Sequence, residues 1–161
     1  MLLSGHDISA GGLITTLLEI NFANTKGGLA INLADFIESD LVKVLFSENS
    51  GIIIQVKDED AVRAILAAHG ISAATIGQPQ DDRRVDITFG ETELTFNIET
   101  LRDTWYKTSY LFDKKQSTAA LAKERFDTYA KNPIHYKFTE SFKGTFEQFG
   151  LTQDRVPSGT K

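Results

Sequence analysis

Cysteine is absent from these 161 residues, so neither a disulfide framework nor a thiolate metal site can be built. Long apolar runs are missing too. No stretch approaches the ~20 apolar residues that a membrane helix needs. There is no long basic run, and the net charge is −5, which argues against a nucleic-acid backbone as the main partner. The start carries no basic n-region and no apolar h-region, so no signal peptide is expected. No internal repeat and no low-complexity tract is found. These absences together lead to the expectation of a cytoplasmic chain with no nucleic-acid or membrane partner.

What is present fits an ordinary globular protein. Hydrophobic residues make up 41% and charged residues 24%. The length suits one domain, or one domain with a tail, and can bury a core without staples. Leu13, Leu17, Leu18 and Phe22 share one helical face, and Gly27-Gly28 ends that element. The alternation in 29–33 predicts a strand. Phe36 to Phe46 predicts a second helix with Phe36, Ile37, Leu41, Val44 and Leu45 buried. The β-branched run 52–56 predicts a buried strand. Asp58, Glu59 and Asp60 open a third helix, whose apolar residues are Val62, Ile65 and Leu66; Gly70 stops it.

Further on, 71–77 reads as strand and 78–82 as turn. The segments 84–90 and 93–98 read as a hairpin. Leu101 to about Lys131 is expected to be helical with a break near Ser117-Thr118, and Trp105, Leu111, Phe112, Leu121 and Phe126 on its apolar side. Asn132-Pro133 ends it. The remainder holds aromatics at no clean period and reads as an extended connector, lying either on something else or as a strap across its own domain. The expected fold class is therefore α/β (α+β), a mixed β-sheet packed by helices.

The segment "SGHDISAGGLITTLLEI" (4–20) reads as a short polar turn running through Gly11 and Gly12 into an apolar helix. Such a turn is a ready anion site, because the first helix amides lack internal partners and the dipole adds positive charge. The glycines allow close approach of a phosphate. Ser9 can cap the helix or donate to a phosphate oxygen. Asp7 offers a hard oxygen suited to Mg²⁺, or bonds its own backbone as a turn residue. His6 is a ligand, a base or a packed side chain. The pattern is neither a P-loop, which needs a following Lys-Ser/Thr pair, nor the dinucleotide fingerprint, whose spacing is missing.

Other candidates are poorer. Asp58-Glu59-Asp60 reads as a solvated helix start, and Asp81-Asp82 with Arg83-Arg84 as an exposed turn. His69 stands at a helix C-terminus, and His135 has no evident partner. No catalytic triad or carboxylate pair stands out, so no catalytic residue is assigned.

"GHDISAGGLITTLLEINFA" (5–23) resembles the H-D-x-S-x-G-G-L segment of the aminoimidazole ribonucleotide (AIR) synthetase-like superfamily, at the start of its C-terminal domain. "LFSENSGIIIQV" (45–56) is similar to that superfamily's F-x-E-x-x-G-x-x-x-Q-V pattern. "LRDTWYKTSYLFDKKQ" (101–116) resembles the L-R-x-x-W segment of one branch, the large phosphoribosylformylglycinamidine synthases. This last segment is the most discriminating, and the likeness covers nearly the whole chain.

The resemblance implies an ATP-dependent C–N ligase of purine synthesis, with glutamine as amido donor. It implies residues 1–133 as an AIR synthetase C-terminal domain-like unit and 134–161 as a connector toward a glutaminase domain. On that reading the chain is an excised piece, inactive alone and prone to self-association, whose partners are an N-terminal AIR synthetase-like domain, the glutaminase domain and a nucleotide. The implied cofactors are Mg²⁺ and ATP or ADP. Asp7 is implied as metal ligand, Ser9 as a phosphate contact, and Gly11 and Gly12 as the residues that shape the nucleotide-binding turn. The family pattern often has Asp where this chain has Ala10. A scaffold domain with a structural nucleotide site, or another ATP-dependent enzyme of the superfamily, is the alternative.

Overall fold

The computed structural model describes residues 2–131 and 137–150. The sequence readings on Asn132-Pro133, His135, Tyr136 and the last eleven residues lie outside the described residues. The chain forms two compact units, Met1–Ala130 and Lys131–Lys161.

The first unit runs β1 (Leu2–Ile8), α1 (Gly12–Phe22), β2 (Gly28–Asn32), α2 (Leu41–Phe46), β3 (Gly51–Val56), α3 (Glu59–Ala68), β4 (Gly77–Gln80), β5 (Arg84–Phe89), β6 (Thr92–Asn97), α4 (Ile98–Gln116) and α5 (Ala119–Thr128). A four-stranded mixed sheet has the order β4-β2-β5-β6. Its centre is the parallel pair β2–β5, with Ile31 beside Ile87, and both flanking pairs are antiparallel. A second sheet is the antiparallel pair β1–β3 alone. The expected mixed sheet packed by helices is found.

The core gathers Leu13, Ile14 and Leu17 of α1, Ile31 and Leu33 at β2, Val44 and Leu45 of α2, Val85 and Ile87 of β5, and Ile98 of α4. Leu17, Leu33, Val85 and Ile98 are fully buried, each contributing roughly 1.5–3 kcal/mol of transfer free energy.

Side-chain caps set most helix starts. Asp40 accepts from the amides of Val42 and Lys43, Asp58 from Ala61, Asn97 from Thr100, and Thr118 from Leu121. The Asp58 and Thr118 caps explain why the acidic helix start and the break near Ser117-Thr118 appear where the sequence placed them.

Several expectations are corrected. Residues 4–8 form no turn; they belong to strand β1, because β3 supplies a ladder for them. The second helix spans only Leu41–Phe46, since Asp40 starts it late, and Phe36 and Ile37 lie exposed ahead of it. The β-branched run 52–56 is a strand, but Ile52 is 73% exposed because one face of a two-stranded sheet has no cover. No residue of α3 is buried, so Val62, Ile65 and Leu66 do not reach the core. Strand β4 occupies 77–80, where a turn was expected, and 71–76 is irregular. Trp105, Leu111, Phe112 and Leu121 are half exposed or more.

The exposed-turn reading of Arg83 is corrected as well. Its guanidinium donates to the carbonyls of Asn21 and Gly27 at 3.1 Å, to that of Asn24, and to Glu99 at 2.6 Å. A cation thus closes the C-terminal end of α1, where the helix dipole favours it. Glu99 also pairs with the buried Arg102, whose guanidinium lies over the Tyr129 ring. Burial pushes the Tyr129 phenol above its ordinary value, and its bond to Asp103 adds to that.

In the second unit, described over 137–150, Phe138 stacks on Phe142 with centroids 4.4 Å apart, and Phe149 meets Phe142 edge-on. Gln148 accepts from the amides of Lys143 and Gly144 and donates to the Ser141 carbonyl.

Candidate functional site

The site residues sit where β1 hands over to α1. Strand alternation divides them. Ser4, His6 and Ile8 are half-buried, while the Asp7 side chain points outward and is 74% exposed. Opposite Asp7 in the ladder stands Ile52. The Asp7 carbonyl accepts two bonds, from Thr16 Oγ1 at 3.1 Å and from His6 Nδ1 at 2.8 Å. Thr16 is buried and also reaches the Gly12 carbonyl at 3.2 Å, so one hydroxyl joins the strand end to the helix start.

The turn itself is held internally. Gly12 N–H donates to the Ser9 carbonyl at 3.0 Å. Gly11 N–H donates to Glu48 Oε1 at 2.8 Å. A carboxylate at the head of a helix is favoured by its dipole, and Glu48 sits at the cap position of α1. Both glycines have positive φ, 86° and 73°. A Cβ on Gly12 would lie 2.7 Å from the Leu45 carbonyl oxygen, so glycine is required there by the close approach of α2's end.

Ser9 is not the helix cap. The cap position is Gly11, which has no side chain to offer, and the Ser9 hydroxyl is exposed with no protein partner among the described residues. Asp7 at the end of β1 and Ser9 just after it therefore present an exposed carboxylate and hydroxyl. A hard cation fits that donor chemistry. In this structure the Gly11 amide is bonded to Glu48. Among the described residues, no three His, Asp or Glu side chains are grouped to enclose a metal ion.

His6 lies between two carboxylates. Its Nε2 is 3.6 Å from Glu19 Oε2 of α1, and its Nδ1 is 3.7 Å from Asp7 Oδ1. Glu19 also accepts from Trp105 Nε1 of α4 at 3.1 Å, and Trp105 packs on Phe22 with centroids 5.7 Å apart. Sequence reasoning missed Thr16, Glu19 and Glu48. Glu48 stood inside the quoted F-x-E-x-x-G pattern, which was its available signal; the other two looked like ordinary helix residues.

Elsewhere the poorer candidates behave as structure. His69 closes α3, with its ring on the Ile65 carbonyl. Glu59 and Arg63 of α3 both bond Thr75.

Residues 1–90 match the family described as AIR synthase related protein, C-terminal domain. The chain is 38% identical over 120 residues to a probable phosphoribosylformylglycinamidine synthase, chloroplastic/mitochondrial, from Arabidopsis thaliana. That match covers 73% of this chain and 8% of the plant protein, so the chain spans under a tenth of this relative's length. The fold is similar to that of T. maritima PurL, solved in complex with ATP. There the TM-score is 0.56 and the identity 12%, over 63% of this chain and 19% of the other.

Proposed function

This chain belongs to the AIR synthase related proteins, as a C-terminal domain of that family, and from that premise we propose that it works as part of a phosphoribosylformylglycinamidine synthase. The observation that carries the reading is the 38% identity to the plant synthase over 120 residues, 73% of this chain. The proposed reaction turns formylglycinamide ribonucleotide into formylglycinamidine ribonucleotide, using ATP and ammonia drawn from glutamine. When bound, a Mg-nucleotide would supply the activating phosphoryl group.

On this reading Asp7 holds the cation and Ser9 donates its hydroxyl to a phosphate oxygen. Gly11 and Gly12 shape the nucleotide-binding turn. The other ligands come from a preceding domain of a longer chain, and the piece is inactive alone. Residues 1–133 are the AIR synthetase-related C-terminal domain. Residues 134–161 lead toward a glutaminase domain, and the isolated piece self-associates. The whole protein works in the cytoplasm.

The internal bond of Gly11 to Glu48 favours a second reading, in which the site is a scaffold with a structural nucleotide. Asp7→Asn in the full-length enzyme separates the two. Loss of turnover with intact assembly and unchanged melting supports participation in chemistry. A fall in melting temperature ahead of turnover supports the structural site. Unchanged nucleotide binding, turnover and melting would overturn both.

A further inference from the structure

We propose that His6 is a positioning residue for Asp7, held in place by Glu19 and, through Glu19, by Trp105. The proposal rests on the reading of Asp7 as a cation ligand.

Two elements meet the His6 ring, and a third acts on it through Glu19. From β1 itself, Nδ1 meets the Asp7 carbonyl at 2.8 Å. A carbonyl only accepts, so Nδ1 carries the hydrogen. From α1, Glu19 faces Nε2 at 3.6 Å. From α4, the Trp105 indole donates to the other Glu19 oxygen at 3.1 Å and leans on Phe22. Glu19 is thereby fixed by a rigid aromatic donor before it touches the imidazole.

The direction of the chain of contacts gives it a purpose. Neighbouring residues of a strand alternate, so the half-buried His6 is followed by the exposed Asp7, whose Oδ1 lies 3.7 Å from Nδ1. Two donors, Thr16 and His6, fix the Asp7 carbonyl from the inner side. That fixes the peptide plane from which the exposed carboxylate projects. A ligand carboxylate on a bare strand end would instead sample several orientations and bind a cation more weakly. Groups that orient a ligand typically change metal affinity by about 10–100-fold when removed. A packed histidine with no role at Asp7 needs none of this alignment.

The test uses the full-length protein, Mn²⁺ as probe in the presence of ADP, and electron paramagnetic resonance to count free Mn²⁺, with thermal melts alongside. Asp7→Asn is the reference. His6→Ala is expected to weaken Mn²⁺ binding about tenfold. His6→Asn places an amide donor near the Nδ1 position and is expected to restore affinity to within about threefold. Trp105→Phe keeps the ring on Phe22, removes the indole donor, and is expected to fall between the two. If His6→Ala does not fold, the order of the Asn and Trp variants decides.

Equal losses in His6→Ala and His6→Asn, or no loss in His6→Ala and Trp105→Phe, would overturn the positioning role while Asp7→Asn still abolishes binding. If Asp7→Asn itself leaves Mn²⁺ binding intact, it is the cation-site reading that fails.

Discussion

The four-stranded sheet and the β1–β3 pair use similar residues and reach opposite outcomes. In the first, Ile31, Val85 and Ile87 are covered by α1, α2 and α4 and vanish from solvent. In the second, Leu2, Leu3, Ile52 and Ile54 lie open, and the amphipathic helix α3 that follows contributes no buried residue. A β-branched strand is a request for cover, and the sequence does not say whether the cover is present. Hydrophobic stabilisation comes from area removed from water, so the two regions should respond very differently to truncation.

The contrast is tested most severely by Leu17→Ala, which empties the centre of the covered region. It should cost about 3–5 kcal/mol in denaturant unfolding, whereas Ile65→Ala on α3 should stay within about 0.5 kcal/mol. Comparable losses at both sites would mean that α3 is covered in solution. Next comes Gly12→Ala, at the seam between the regions. A side chain there meets the Leu45 carbonyl and holds a strained φ, and we expect a loss of about 2–3 kcal/mol.

Glu48→Ala removes the carboxylate from the Gly11 amide and should cost about 1 kcal/mol, while Glu48→Gln, which keeps an acceptor oxygen, should recover most of it. If Glu48→Ala proves neutral, the turn is not held by that bond.

The smallest effect concerns acid. Bonds from Gln80 and Thr95, with Arg84 nearby, hold the Asp86 carboxyl below its ordinary range. A lowered folded value means that its contribution is present above the unfolded value, about pH 4, and fades as pH falls through the folded one. Asp86→Asn should flatten that acid limb of a stability–pH curve and leave neutral stability little changed. Parallel curves for the two proteins would refute the assignment.

These regions also show what the sequence could carry. Local signals were legible: the acidic start of α3, the break near Ser117-Thr118, the hairpin of β5 and β6, and the buried face of α1. Readings that depend on a distant partner were not. Residues 4–8 look polar and turn-like until β3 is placed beside them. Arg83 looks like one charge in a solvated run until the end of α1 arrives to receive it. At the site, Asp7 and Ser9 stood out because their chemistry is local. Glu48 did not, because its importance lies in an amide far away in the chain. The apolar stripe of Val62, Ile65 and Leu66 was correctly seen as a stripe, yet nothing in it shows whether a neighbour covers it.

The parallel pairing of β2 with β5 has a kinetic consequence. Both neighbours of β2 in its sheet lie later in the chain, so Ile31 must wait for Gly77 and Ile87 to be synthesised. Until then, α1 lacks its sheet and has earlier elements such as β1 and α2 to pack on. Loop closure has to precede the reward, which makes folding of this domain slower than that of a helical bundle of the same length. On the ribosome, the first third of the chain should therefore remain sensitive to proteases until the β5–β6 hairpin has emerged.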